Sequence, residues 1–104
     1  ATAKAFAGEG AEVAVLDRDI EAASKVASAI GGFAAKCDVT RQRSVGGAFA
    51  KIVRKFGGLD ILVSNAGAAW QGRIGDVDEN ALRDSFELNF WGHQRCAQAA
   101  VGIM

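Results

Sequence analysis

The sequence predicts an α/β fold built on a doubly wound parallel sheet, and three observations support this class. Short apolar runs alternate along the 104 residues with longer amphipathic stretches, which is typical of strands joined by crossover helices. The first of these runs contains no polar residue, as expected for a parallel strand that is covered on both faces. Polar or glycine-bearing residues follow each run, where open α/β sheets bind their ligands.

The first half of the chain predicts two helices and two strands. Residues 1–7 are rich in strong helix formers, and glycines end that segment. The apolar run at 13–16 predicts the first strand. Residues 20–30 place their apolar side chains on one helical stripe, with Asp19 available as the N-cap. Residues 33–37 predict the second strand.

The second half predicts a helix, a third strand and a long final helix. Thr40 is a candidate cap for a helix that runs to about Phe56, although Gly46 and Gly47 inside it each cost roughly 1 kcal/mol relative to alanine. Residues 61–63 predict the third strand, and Asp78 is a candidate N-cap for one long last helix. The stripe of that helix consists of Leu82, Phe86, Asn89, Phe90, His93, Ala97, Ala100 and Met104.

Composition excludes several classes of protein. Twelve basic residues balance 12 acidic ones, so the chain lacks the basic excess that attracts nucleic acids or anionic membranes. No apolar run approaches the roughly 20 residues needed to cross a bilayer, and no signal-peptide pattern is present. Cys37 and Cys96 are too isolated for a disulfide framework or a zinc site. We therefore expect a cytoplasmic protein with no metal, membrane or nucleic-acid partner.

Asp17 is the most informative single residue, because it directly follows the first predicted strand. In dinucleotide-binding folds an acid at this place accepts hydrogen bonds from the adenosine ribose and repels a 2′-phosphate, which selects NAD over NADP. The alternative is an ordinary turn or cap residue, and spacing alone favours neither. The adjacent Arg18 could weaken the selection, since a guanidinium can accommodate a phosphate.

The other two predicted strands end in the same way. Asp38 and Val39 follow the second strand, and Asn65, Ala66 and Gly67 follow the third. Each group alone is an ordinary turn. Because the carboxyl ends of parallel strands meet at one edge of the sheet, the three groups together favour a binding site.

Two polar side chains lie on the apolar stripe of the last helix. Asn89 costs stability there unless its hydrogen bonds are satisfied. It either bonds a neighbouring backbone group of its own helix, or it holds an ordered water or a backbone carbonyl beneath an active site. His93 is best interpreted as a packed, hydrogen-bonded core histidine, and Cys37 as a small buried hydrophobic residue.

Three segments, in this order along the chain, resemble the short-chain dehydrogenase/reductase family. The segment CDVT (Cys37–Thr40) resembles its Asp-Val segment, whose acid contacts the adenine ring. The segment LDILVSNAG (Leu59–Gly67) is similar to its strand ending in Asn-Asn-Ala-Gly, with Ser64 replacing the first Asn. The segment FELNFWG (Phe86–Gly92) is similar to the helix that supplies the family's catalytic Asn, a role that would fall on Asn89.

The resemblance implies an NAD-dependent dehydrogenase of Rossmann type that acts on a small alcohol or aldehyde, with Asp17 matching the acid of NAD-preferring members. Residues 1–104 would be the central part of one domain. The first strand with its glycine-rich turn would precede Ala1. The catalytic Ser and the Tyr-x-x-x-Lys pair would follow Met104, so we expect these 104 residues by themselves to be inactive. A homodimer or homotetramer is expected, with the last helix packing against its copy.

Within the family, residues 63–72 and 85–90 are most similar to the dehydrogenase half of bacterial rhamnulose-phosphate aldolase/alcohol dehydrogenase fusions. That would imply lactaldehyde or a similar small hydroxy-aldehyde as substrate. A hypothesis from a different class is a non-catalytic remnant, which keeps the dinucleotide-like scaffold as a structural or interaction module. Strand order in such sheets further predicts that 13–16 pairs with 33–37 and does not touch 61–63.

Overall fold

A computed structural model describes all 104 residues, which form two parallel strands, five α-helices and one π-helical turn. The elements in chain order are α1 (Thr2–Gly8), β1 (Ala14–Asp17), α2 (Ile20–Ile30), β2 (Phe33–Lys36), α3 (Gln42–Phe56), α4 (Glu79–Phe86), the π-helical turn (Glu87–Trp91) and α5 (Gly92–Val101). This architecture confirms the α/β class. No helix combines the length and the apolar character needed to span a membrane.

The sheet consists of β1 and β2, which are parallel neighbours as predicted. Asp17 lies opposite Lys36 at their carboxyl ends, and the Cys37 N–H donates to the Asp17 carbonyl at 2.9 Å. The pairing therefore brings the residues after β1 next to those after β2. Residues 14–16 are only half-buried, so the expected complete cover on both faces of this strand is wrong.

The crossover helix α2 begins and ends as the sequence predicts. Asp19 Oδ1 accepts hydrogen bonds from the N–H groups of Glu21 (3.0 Å) and Ala22 (3.3 Å), which confirms the N-cap. Gly31 ends the helix with φ +65°. A Cβ at Gly32 would lie 2.6 Å from the Val13 carbonyl oxygen, so only glycine allows this close approach between the turn and the residue that precedes β1.

The predicted third strand at residues 61–63 is wrong. These residues form no regular secondary structure and no backbone hydrogen bond to β1 or β2. Apolar character indicates burial, but a strand also needs a neighbouring strand to pair with. Leu62 and Leu59 still pack against the core, while Ile61 and Val63 are 60% and 52% exposed. The expectation that this segment does not bond to β1 is confirmed.

Helix α3 starts one residue later than predicted, and Thr40 does not cap it. Arg41 occupies the N-cap position without a side-chain hydrogen bond. The Thr40 hydroxyl instead donates to Asp38 Oδ1 at 2.6 Å, and this carboxylate also accepts from the Thr40 N–H. The helix continues through Gly46 and Gly47 to Phe56 as predicted.

The predicted single final helix is interrupted by the π-helical turn. Asp78 does cap α4, since its Oδ2 accepts from the Ala81 N–H at 3.3 Å. At the π-helical turn the Gly92 N–H donates to the Glu87 carbonyl, a hydrogen bond that spans five residues instead of four. Such turns are frequent at functional sites. The predicted apolar stripe is also exposed in its first half, at Leu82, Phe86 and Phe90.

The core lies between β2, α3 and α5. Its buried members are Cys37, Val45, Ala48, Phe49, Cys96 and Ala100. Leu16 and Val39, which flank the carboxyl ends of β1 and β2, pack against this cluster. The core therefore anchors both strand ends to α5.

Candidate functional site

The carboxyl end of β1 presents an exposed carboxylate. Asp17 Oδ1 accepts a hydrogen bond from the Asp19 N–H at 2.9 Å, so this residue stabilises the turn into α2. Its second oxygen accepts no hydrogen bond within the chain and can receive a donor from outside. Both interpretations of Asp17 are therefore compatible with the structure.

A second carboxylate, that of Asp38, follows the carboxyl end of β2, and local hydrogen bonds to Ser44 and Thr40 hold this residue in place. The Asp38 N–H donates to Ser44 Oγ at 2.8 Å, and Oδ1 accepts from the Thr40 N–H at 3.0 Å. The Thr40 hydroxyl is the largest cause that holds the pKa of Asp38 below its usual value, and the nearby cations Arg41 and Arg18 contribute to the same shift. Arg18 therefore lies close enough to act on the Asp38 charge.

Val39 is held from two sides by α5. A Cβ at Gly92 would lie 2.8 Å from Val39 Cγ2, so the valine side chain occupies the space above that glycine. The Val39 carbonyl accepts a hydrogen bond from Arg95 Nη1 at 3.3 Å, and Arg95 Nη2 lies 2.8 Å from Glu87 Oε2. Sequence reasoning missed Arg95 and Glu87. The signal that could have identified Arg95 is its position next to the apolar stripe of the last helix, where a charged side chain needs a partner; Glu87 follows as that partner.

Asn89 binds the backbone of the loop that follows residues 61–63. Its Oδ1 accepts from the Ala68 N–H at 3.1 Å, and its Nδ2 donates to the Ala68 carbonyl at 2.7 Å. Nδ2 also donates to Ser85 Oγ at 3.2 Å. Of the two alternatives for this amide, the structure shows the one in which it holds a backbone carbonyl outside its own helix, and it adds the N–H of the same residue.

The Asn65–Gly67 segment lies between two contacts that tie the loop to the last helices. Ser64 Oγ and His93 Nδ1 share a hydrogen bond of 2.5 Å, and Ala68 is held by Asn89. Ser64 and Ala68 lie four residues apart in the loop, and their partners His93 and Asn89 lie four residues apart in the last helices. The loop and the helices therefore run in opposite directions here. His93 is hydrogen-bonded as predicted, although it is half-buried instead of fully buried.

The structure joins the predicted site residues in two groups. Asp17, Arg18, Asp38 and Val39 lie together at the paired ends of β1 and β2, whereas Asn65, Ala66 and Gly67 lie against Asn89. No hydrogen bond joins the two groups directly. They are connected through the last helices, because Val39 contacts Gly92 and Arg95 while Ala68 contacts the π-helical turn.

The two thiols are not part of the reactive machinery. Both are buried, and burial raises the pKa of Cys37 to about 11, with further contributions from Cys96 and Asp38. Burial also raises the pKa of Cys96. Because the thiolate is the nucleophilic form, neither residue is primed to react near neutral pH. The interpretation of Cys37 as a buried hydrophobic residue is confirmed.

We expect Gly67→Ala to disrupt the Asn89 clamp, by which we mean the two hydrogen bonds between the Asn89 amide and the Ala68 backbone. A Cβ at this position would lie 2.9 Å from Asn89 Oδ1, which is closer than a methyl carbon approaches an oxygen atom even in a weak C–H···O contact. The amide must move, and at least one bond to Ala68 is lost, which costs about 1–2 kcal/mol of unfolding free energy. Urea unfolding of the full-length protein measures this loss.

Gly75→Ala is the matched control for that measurement, because an added Cβ at Gly75 meets no atom within 4 Å. It lies in the same irregular region of the chain. We expect a change of less than about 0.5 kcal/mol for the control. Equal stability of the Gly67→Ala variant and the wild-type protein would contradict the close packing of Gly67 on Asn89.

The parallel strands, the crossover helix and the acids at the strand ends together define a Rossmann-type domain. A family profile described as enoyl-(acyl carrier protein) reductase, one of the short-chain dehydrogenase profiles, matches residues 1–104. The chain belongs to the short-chain dehydrogenase/reductase family.

Individual relatives agree with this assignment. The chain is 36% identical to galactitol 2-dehydrogenase of Agrobacterium fabrum, over 98% of this chain and 41% of that protein. It is 34% identical to sorbitol dehydrogenase of Cereibacter sphaeroides, over 100% of this chain and 41% of that protein. An alcohol dehydrogenase from the archaeon Thermococcus sibiricus, complexed with 5-hydroxy-NADP, matches with a TM-score of 0.92 and 27% identity over 97% of this chain and 46% of that structure. The chain thus spans about two fifths of the length of these curated relatives.

Proposed function

We propose that the protein containing this chain is an NAD-dependent dehydrogenase that oxidises a small alcohol or hydroxy-aldehyde. The observation that carries the proposal is the double hydrogen bond between the Asn89 amide and the Ala68 backbone, which holds the Asn-Ala-Gly loop against the π-helical turn. The names of the galactitol and sorbitol dehydrogenase relatives support a substrate with several hydroxyl groups.

The residues present fit the adenosine half of a dinucleotide. Asp17 offers an exposed carboxylate oxygen that can accept from vicinal ribose hydroxyls. Asp38 and its neighbours form a rigid loop beside it at the end of β2. Gly67 leaves no room for a side chain on the Asn89 side, which keeps the loop backbone close to the helix. These features match the chemistry of a ribose and an adenine ring.

The bound nicotinamide would supply the hydride acceptor, and the described residues would position it and the substrate. Asn89 uses both amide hydrogens and one oxygen lone pair within the chain, so it does not itself move protons. It fixes the Asn65–Ala68 loop, and the second lone pair of Oδ1 can accept from a water. We therefore interpret Asn89 as the residue that orders the catalytic end of the site.

The charge at the end of β1 supports NAD in preference to NADP. A 2′-phosphate would lie against the Asp17 carboxylate, and Arg18 is near enough to Asp38 to be partly neutralised by it. We expect Asp17→Ala to raise the KM for NAD about ten-fold and to narrow the preference over NADP, while kcat changes less, because a remote ribose contact contributes mainly uniform binding.

Initial-rate kinetics with both cofactors measure this effect in the full-length protein. Glu12→Ala is the matched control, because Glu12 is an exposed acid just before the other end of β1. The control should leave both KM values unchanged within about two-fold. Equal or better use of NADP by the wild-type protein would show that Arg18 dominates over Asp17.

The activity itself is tested by NADH formation in the full-length protein with galactitol, sorbitol and lactaldehyde as substrates. Turnover of at least one of them supports the proposal. Nucleotide binding is measured separately by calorimetry with NAD. If the full-length protein neither binds NAD nor turns over any of the three, the dehydrogenase function is excluded and the non-catalytic module is favoured.

Lactaldehyde is included because of residues 63–72 and 85–90. Their similarity to the dehydrogenase half of rhamnulose-phosphate aldolase fusions supports a small hydroxy-aldehyde substrate.

A homodimer or homotetramer is supported by the exposed apolar face of α4 and the π-helical turn. Leu82, Phe86 and Phe90 are 46%, 59% and 57% exposed at helical spacing, and contiguous exposed apolar side chains mark interaction surfaces. A second copy of the same helix offers a matching face for a two-fold contact. Sedimentation of the full-length protein as a monomer would contradict this assembly.

A further inference from the structure

The ion pair between Glu87 and Arg95 differs from the other helix ion pair of the chain in its surroundings. Arg95 Nη2 lies 2.8 Å from Glu87 Oε2, and the two side chains are 19% and 45% exposed. The pair between Arg83 and Glu79 has a similar distance of 2.9 Å, but its side chains are 73% and 76% exposed. A pair that is partly removed from water is less screened and holds its geometry more firmly.

Arg95 also reaches across the chain to the loop after β2. Its Nη1 donates to the Val39 carbonyl at 3.3 Å, over a sequence separation of 56 residues. One planar guanidinium therefore binds a carboxylate at the start of the π-helical turn and a carbonyl at the strand end. A lysine has a single charged nitrogen and cannot reproduce this forked arrangement.

The same loop residue is held by the π-helical turn through packing. The Gly92 N–H closes the turn by donating to the Glu87 carbonyl, and the Gly92 Cα lies beneath the Val39 side chain. Glu87 thus takes part in both contacts: its carboxylate orients Arg95, and its carbonyl sets the position of Gly92. Val39 is fixed through its carbonyl and its side chain together.

We propose that Arg95, oriented by Glu87, is a positioning residue for the adenosine end of the cofactor site. It holds the Asp38–Val39 loop against α5, so that the loop is ordered before the nucleotide binds. This assignment rests on the proposed function, because it requires a dinucleotide at the ends of β1 and β2. The family resemblance assigns a cofactor contact to Asp38 and a catalytic role to Asn89, and it assigns no role to either member of the ion pair.

The test compares Arg95→Met, Arg95→Lys and Glu87→Gln in the full-length protein, with ADP-ribose as the probe. ADP-ribose is the cofactor without its nicotinamide ring, so its Kd reports the adenosine, pyrophosphate and ribose contacts and excludes those of the nicotinamide. We expect Arg95→Met to raise the Kd about five-fold, since it removes a charge-assisted hydrogen bond to the loop. Arg95→Lys should restore part of the affinity, and Glu87→Gln should raise the Kd about two-fold, because glutamine can still accept from the guanidinium.

Hydrogen exchange of the backbone amides at 38–41 gives a second readout without any nucleotide. Faster exchange at these amides in Arg95→Met, with unchanged exchange in α2, supports the positioning role. Arg83→Met is the matched control, because it removes an exposed arginine of the same pair type from α4. It should change the Kd by less than about two-fold.

Two results separate failure of this inference from failure of the proposed function. If the wild-type protein binds ADP-ribose and Arg95→Met binds it equally well, Arg95 has no positioning role, and the dehydrogenase proposal stands. A lower melting temperature without a change in Kd likewise overturns the positioning role, since it shows that Arg95 contributes to stability only. If the wild-type protein does not bind ADP-ribose, this inference is overturned, and the proposed function is overturned with it only if the protein also neither binds NAD nor turns over any of the three substrates.

Discussion

Replacing Asn89 with alanine in the full-length protein is expected to lower kcat/KM about a hundred-fold, which corresponds to roughly 3 kcal/mol of lost transition-state stabilisation. The substitution removes both bonds to the Ala68 backbone and the bond to Ser85. The Asn65–Ala68 loop is then held only by Ser64 and His93, and small displacements at a catalytic site have large kinetic costs. Steady-state kinetics with NAD and the best substrate measure this effect.

The control for this experiment is Asn80→Ala. Asn80 is an exposed residue of the first turn of α4 and makes no side-chain hydrogen bond to the rest of the chain. Asn89→Asp is a sharper variant, because a carboxylate can accept from the Ala68 N–H but repels its carbonyl. We expect Asn89→Asp to be as impaired as Asn89→Ala. Activity within about three-fold of wild type in either variant would show that the clamp does not matter for catalysis.

Gly92→Ala is expected to destabilise the protein by about 1–2 kcal/mol, although alanine is the better helix former. The new methyl group would lie 2.8 Å from Val39 Cγ2 and 3.2 Å from its Cβ. Val39 cannot simply retreat, because Arg95 holds its carbonyl and the side chain packs against the core. The strand-end loop must shift, so weaker NAD binding should accompany the loss. Urea unfolding and calorimetry measure the two effects.

Gly46→Ala is the matched control, since Gly46 also lies inside a helix but faces open space. Alanine there should raise the unfolding free energy by about 0.5–1 kcal/mol through helix propensity alone. The two substitutions therefore have expected effects of opposite sign. A stabilising Gly92→Ala would contradict the contact between the π-helical turn and Val39.

Several elements were predictable because the interactions that define them are local. The N-caps at Asp19 and Asp78 and the glycine after Ile30 act on residues within a few positions, and the structure confirms all three. The position of Asp17 at the end of β1 was predictable for the same reason, because it depends only on where the apolar run of that strand ends. Alternation of apolar runs with helical stripes was sufficient for the α/β class.

Other features were not predictable because they depend on partners that are distant along the chain or on a choice between competing local interactions. Residues 61–63 have the composition of a strand, but pairing with a neighbour decides whether a strand forms. Thr40 has the chemistry of a helix cap, yet it bonds Asp38 only two residues away, so two local interactions compete for the same side chain and the sequence pattern does not choose between them. The π-helical turn adds one residue to a helix whose spacing of apolar residues fits an ordinary α-helix.

The amino-acid sequence was sufficient for the class of the fold, the order of its first three helices and two strands, and the identity of the acids at the strand ends. Packing of the folded chain selected which of those residues act together. Asn89 was recognisable as an unusual amide, but its partner Ala68 lies 21 residues away, and Arg95 became recognisable only through Val39. Caps, turns and helical stripes depend on residues that are close to one another along the chain, so they can be recognised in the sequence. Hydrogen bonds such as those of Asn89 and Arg95 require the packed core to bring separate segments within about 3 Å of each other.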